Sequence, residues 1–330
     1  MTELRVRFAT DPASVPGARR FVRDGLASWG LTHLSDDVGL CVTELAANSA
    51  LHSAGSFMSV ALHARDRAVQ VSVEDDGDVP GAVVVPRADF TGSGGAVVQD
   101  VADEATTGRG LAIVAVLADA WGVEETSGGK RVWADFSTDG SAVPPPARHP
   151  APEPEPQPSD KASDEASDEP SGGPAGGPLP DGWTVVRLAD CPVRLSLRQD
   201  EHLDELVREL QLLNAHDAPR SREIAGEIQG LLAAPAHARH TGRRIARIAE
   251  RAGREHVDVD MALPGEASQM VRGLQAAVAA ADQLCLERRL LTLASSEELT
   301  ALRRWMTEEI VAQVEEGREP VPWPVWRSAS

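Results

Sequence analysis

The chain is poor in the features that would place it outside the cytoplasm or in a membrane. Its three cysteines, Cys41, Cys191 and Cys285, are widely spaced and odd in number. That excludes a disulfide framework or a zinc knuckle and leaves them as small apolar core residues. No apolar run approaches the roughly 18 residues that a membrane span requires, and the N-terminus carries no apolar signal segment. The expectation is a cytoplasmic chain with no membrane partner. Lysine is almost missing: of 32 basic residues only Lys130 and Lys161 are lysines, a bias that reflects GC-rich coding rather than mechanism. Positive charge is also short. A net charge of −19 excludes generic attraction to nucleic acid or to an anionic surface. His237 and His240 sit three apart, but no acid or cysteine cluster completes a metal set around them.

What is present falls into three regions. Residues 141–180 hold 12 of the 23 prolines, seven acids against two bases, Arg148 and Lys161, and the pairs Gly172-Gly173 and Gly176-Gly177. With no apolar periodicity, such a segment cannot bury enough surface to offset its ordering entropy. It is expected to be a disordered Pro/Gly/acidic linker. Residues 1–140 alternate helical and strand patterns. Asp11-Pro12 opens a helix with a stripe of Val15, Ala18, Phe21, Val22 and Leu26. Ser35 is expected to cap a second helix carrying Val38, Leu40, Cys41, Leu45 and Leu51. Residues 57–63 and 68–74 read as strands, the second alternating Val69, Val71 and Val73 with polar residues. A helix over 110–120 and two strands over 121–125 and 131–136 follow. Residues 181–330 are helical in pattern after a short mixed stretch at 183–200. The stripes include Leu203–Leu213, Ile224–Leu231, Met270–Leu284 and Leu299–Ile310, and they predict an all-α bundle of four or five helices.

Three short segments in the first region carry the chemistry. Glu44 and Asn48 are four apart and share a helix face. A carboxylate there can take a proton from a hydroxyl, and an amide oxygen can coordinate Mg²⁺; His52 lies one turn further along. Asp75-Asp76-Gly77 ends a strand with a carboxylate able to accept from an exocyclic amine, and with a glycine that lets a ring approach the backbone. Gly108-Arg109-Gly110-Leu111 opens a helix where backbone N–H groups favour phosphate, with Arg109 as a further cation. The long stretch over 79–107 before it has the size of a functional lid.

In this order and spacing, residues 5–137 resemble the histidine-kinase-like ATPase superfamily, which also contains gyrase, and within it the anti-sigma-factor serine kinase branch. The Glu44-x-x-x-Asn48 spacing, the continuation Asn48-Ser-Ala-Leu-His52, and the ending Gly108-Arg-Gly-Leu…Gly129-Lys-Arg-Val-Trp133 carry the resemblance. It implies a two-layer α/β sandwich, a mixed, largely antiparallel sheet with helices on one face. It implies ATP with Mg²⁺ as cofactors: Glu44 as the base, Asn48 on the metal, Asp75 reading adenine, Gly77 under the base, and Gly108, Arg109, Gly110 and Leu111 at the phosphates. The sequence departs from the family at Gly77-Asp78-Val79, where a second glycine often completes the motif.

The second half shows no catalytic constellation and reads as a sensing, dimerising or partner-binding module. Arg243, Arg244, Arg247 and Arg251 read as a solvated helix face, and the Trp323 and Trp326 segment as a cover for the bundle. The resemblance implies an anti-sigma regulatory factor that phosphorylates a serine or threonine of an antagonist protein, with a sigma factor or that antagonist as partner; a homodimer stays open. The alternatives are a non-catalytic ATP-gated binding module, and an interaction scaffold with a degenerate ATPase domain.

Overall fold

The structure is a computed structural model and describes residues 2–77, 108–126, 129–139, 177–213, 224, 226, 228, 230 and 236–329. The expected lid (79–107) and most of the expected linker (141–176) lie outside the described residues.

The first half is the two-layer sandwich indicated by the sequence. Five strands, β1 (Thr2–Ala9), β2 (Phe57–Ala64), β3 (Ala68–Asp75), β4 (Ala120–Thr126) and β5 (Gly129–Ser137), form one sheet in the order β1-β2-β3-β5-β4. Each of these pairings is antiparallel. Register places Leu4 opposite Leu62, Val6 opposite Val60 and Phe8 opposite Met58, and the row continues through Val71, Val73 and Ala134. These side chains are buried on one face, as period-two alternation demands. The helices α1 (Val15–Ser28), α2 (Ser35–His52) and α3 (Gly108–Leu117) cover that face. Each fully buried Phe, Leu or Val contributes about 1.5–3 kcal/mol.

Several local details differ from expectation. β1 has its own alternation of Leu4, Val6 and Phe8 against Arg5 and Arg7, a short signal that the helical stripe after it overshadows. Ser35 does not cap α2: the helix is entered from a 3-10 turn over Thr32–Leu34, so Leu34 holds the cap position without a side-chain bond. Leu40 and Leu51 are exposed rather than buried. All three cysteines are buried free thiols, and burial pushes Cys41 up to about 12.

The second half contains the expected helices: α4 (Val193–Leu213), α5 (Ala236–Arg251), α6 (Ala267–Leu286), α7 (Glu297–Glu316) and α8 (Trp323–Ala329). It also has two antiparallel strands, β6 (Trp183–Pro192) and β7 (His256–Pro264). The strand-like pieces near 183–200 become β6. β7 arises where Val257, Val259, Met261 and Leu263 alternate with His256, Asp258 and Asp260, a period of two embedded between helical stripes. Trp323 is buried against Trp305, with ring centroids 5.5 Å apart, and stacks on Trp326 at 5.6 Å, so the C-terminal tryptophans do cover the helices. No helix among the described residues is long and apolar enough to cross a membrane.

The two halves are docked. The Arg5 N–H donates to Pro178 O at 3.0 Å, which lays the end of the linker along β1. Ala9 N donates to Thr241 Oγ1 at 3.2 Å, Arg244 donates to Thr10 O at 3.3 Å, and Trp183 Nε1 donates to Asp24 at 3.0 Å. Arg244 is therefore an interface residue, and Arg243 with Arg239 clamps Asp200 and Asp204; these arginines are structural rather than merely solvated. His240 lies 3.3 Å from Asp11. At the centre, His237 meets Phe8 edge-on at 5.4 Å and Trp183 at 6.1 Å. A Cβ on Gly17 would come within 2.7 Å of the His237 ring.

Two predictions follow from this interface. Alanine normally improves a helix over glycine, yet Gly17→Ala is expected to lose about 1–3 kcal/mol by overpacking, read from urea unfolding. His237 is pulled down from 6.5 to about 4, chiefly by burial. Between those values the unfolded chain binds a proton that the folded chain does not. Stability is therefore intact above pH 6.5 and is lost as pH falls toward 4, by up to about 3 kcal/mol. Unfolding of His237→Gln over the same pH range should lack that share of the slope.

Candidate nucleotide site

The site forms where the last turns of α2, the end of β3 and the start of α3 meet. Asp75 is the final residue of β3, and its register puts its side chain on the helix-covered face opposite Lys130 of β5. Only 3% of Asp75 is exposed. A buried carboxylate needs donors, and α2 and its C-cap residue supply them from positions four apart. Ser49 Oγ donates to Asp75 Oδ2 at 3.1 Å and Ser53 Oγ donates to Oδ1 at 2.9 Å. The Gly77 amide also points to Oδ1, at 3.4 Å, and Lys130 Nζ stands 3.9 Å from Oδ2. Among the described residues two bonds converge on Oδ1 and one on Oδ2, which leaves the second oxygen with acceptor capacity toward them for one further donor.

The adjacent turn is fixed by Asp76. Its Oδ1 accepts from Phe57 N at 2.8 Å, while Asp76 N donates to Phe57 O at 3.2 Å. These bonds fasten the Ser53–Ser56 turn to the end of β3. Gly77 is buried in the fold of this turn, where a Cβ would run into Ser53 and the Gly55 amide.

Glu44 and Asn48 are half-buried on α2. A Cβ on Gly110 would meet Glu44 Oε2 at 2.8 Å and the Asn48 amide at 3.5 Å. The missing side chain thus lets the first turn of α3 close on these two residues. The N–H groups of Gly108, Arg109 and Gly110 lack intrahelical partners, as in any first helical turn, and Gly110 lies beside an acid and an amide. Leu111 is partly buried against the core and anchors the turn. The structure thus brings together Glu44, Asn48, Asp75, Gly77, Gly110 and the α3 N-terminus. His52, at the end of α2, is exposed. Sequence reasoning missed Ser49, Ser53 and Lys130. Ser49 and Ser53 were visible as an i, i+4 hydroxyl pair just after Asn48, the first on the helix and the second at its C-cap; Lys130 emerges only from strand register.

A family model described as a histidine kinase-like ATPase domain matches residues 8–136. Over residues 8–136 the chain is similar to that domain. No match is found among curated proteins. The matched segment spans α1 to β5 and stops before the linker, so the family covers the sandwich and not the second half. Such a domain implies ATP binding, usually with Mg²⁺. The residues present fit that group. The Gly110 cradle opens onto Glu44 and Asn48, the α3 N-terminus offers N–H groups to phosphate, and Asp75 retains an acceptor site for an amine. Among the described residues no group of three His, Cys, Asp or Glu side chains could hold a metal ion.

Two substitutions test this geometry. Gly110→Ala should displace Glu44 and Asn48 and lower Mg-ATP affinity by about tenfold, the size of a ~1.4 kcal/mol loss, with little change in melting temperature. Asp75→Asn should cost about ten- to a hundredfold in ATP affinity, since hydrogen bonds to charged groups are worth about 1.5–3 kcal/mol. Equilibrium dialysis with ATP measures both.

Proposed function

We propose that the chain is an ATP-dependent regulatory protein of the anti-sigma type, whose ATPase domain phosphorylates a serine or threonine of an antagonist protein. The observation that carries this reading is the approach of Glu44 to Gly110: a carboxylate stands at the helix N-terminus where phosphate would lie. In this reading Glu44 accepts the proton of the partner's hydroxyl, Asn48 holds Mg²⁺, Asp75 and Gly77 hold adenine, and Gly108, Arg109, Gly110 and Leu111 form the phosphate turn. Bound Mg-ATP supplies the phosphoryl group. Positioning and charge neutralisation are what such transfer requires of a protein. New negative charge on the partner then weakens or remodels its interface, which frees or captures a sigma factor.

A second reading keeps the nucleotide and drops the transfer: ATP gates a protein-binding surface. The departure at Val79, where the family often has glycine, favours it. Incubation with labelled ATP and candidate antagonist proteins separates the two. The kinase reading expects phosphate on a serine or threonine of the antagonist. It also expects Glu44→Gln to keep ATP affinity while transfer falls by about 10²–10⁴, the usual contribution of a general base. Transfer that survives this substitution removes Glu44 from the role of base. ATP-dependent capture of a partner without any transfer supports the gating reading.

A further inference from the structure

The second half holds a cavity of about 180 Å³, partly open to solvent, between β6, β7, α4, α5, α6 and α7. Its walls are almost wholly apolar, and Leu188, Leu203, Val259, Met261, Leu274 and Ile310 are among them. The cavity exists because α5 presents Ala238, Gly242 and Ala246 to it, small residues at successive i, i+4 positions. The opposite face of α5, with His237, Thr241 and Arg244, is the one docked on the ATPase domain. An apolar cavity of about 150 Å³ is large enough for benzene, so this one fits an occupant of roughly that size with a short substituent.

Of the polar residues that line the cavity, two are buried and restrict the chemistry. Arg303 is 9% exposed and Gln199 is 5% exposed, and both line the cavity. Arg303 Nη1 donates to Gln199 Oε1 at 3.0 Å, and Arg303 Nη2 donates to Asp282 Oδ2 at 3.1 Å. The first bond fixes the amide orientation: its oxygen must face the guanidinium, so its NH₂ faces away. That buried Nε2 has no hydrogen-bond partner, and an unmet buried donor is costly. The second bond matters as much. Arg303 is already neutralised by Asp282, and Arg243 at the rim by Asp200 and Asp204. A further anion would find no uncompensated charge to offset its desolvation.

We propose that this cavity is a binding site for a small, neutral, mainly apolar molecule that bears one carbonyl oxygen, with the Gln199 amide as donor to that oxygen. The site is separate from the nucleotide site and independent of the function proposed for it.

Calorimetric titration of the full chain with acetophenone, ethylbenzene and benzoate tests the proposal. The three are similar in size and differ in the acceptor and its charge. Acetophenone is expected to bind about tenfold more tightly than ethylbenzene, the value of one recovered hydrogen bond, and more tightly than benzoate. Gln199→Met should bring acetophenone down to the level of ethylbenzene. Ala246→Leu, which fills the cavity, should abolish binding of both while ATP binding and melting temperature are kept. Absence of binding by all three compounds overturns the proposal. So does equal binding of acetophenone and ethylbenzene by the unaltered chain, or tighter binding of benzoate; neither result depends on a variant that folds.

Discussion

The buried carboxylate of Asp75 holds the nucleotide domain in register. It ends a central strand on the covered face of the sheet and is met by two hydroxyls, one from the last turn of α2 and one from its C-cap. A carboxylate at that depth is tolerable only if it is bonded, so the pair of serines ties helix to strand. Once that tie exists, the C-terminal part of α2 cannot slide along the sheet. Glu44 and Asn48 are then presented at one place, and Gly110 lets α3 close on them. The site is a by-product of satisfying one buried acid, with a second carboxylate, Asp76, pinning the neighbouring turn to β2.

The second half is built on different terms. It packs a two-stranded sheet under helices and keeps its own apolar clusters, but it is not free of the first. Trp183 and Ala262 belong to the core of the ATPase domain, and His237 is wedged between Phe8 and Trp183. α5 is the shared element: one face lines the cavity and the other lies against β1 and the turn after it. Ionic clamps such as Arg239 and Arg243 on Asp200 and Asp204 hold α5 to α4. The helix that walls the cavity is thereby also the helix that meets the nucleotide domain.

Much of this was legible in the chain. Strand alternation at Val69, Val71 and Val73 and the stripe from Ala18 to Leu26 give the two layers directly, because burial of one face imposes the period. Glu44, Asn48, Asp75 and Gly110 were recognisable because each needs a fixed local setting: helix spacing, a strand end, a helix start. Ser49 and Ser53 were not singled out, since serine hydroxyls are common on helices and become meaningful only once the buried acid they serve is located. Lys130 depends on pairing between strands far apart in sequence, which no local pattern encodes. β7 was hidden because its alternation is short and flanked by helical stripes. The arginines of α5 read as solvent-facing because their acidic partners lie on another helix and their carbonyl partner on another domain.

The central claim is that nucleotide is held between the end of α2, the end of β3 and the start of α3. Amide hydrogen exchange of the full chain with and without Mg-ATP tests it most directly. The account predicts slowed exchange at residues 48–57, 75–77 and 108–111, with the core strands already protected in both states. Slowing confined to the second half, or no change at these three segments at saturating Mg-ATP, would contradict it.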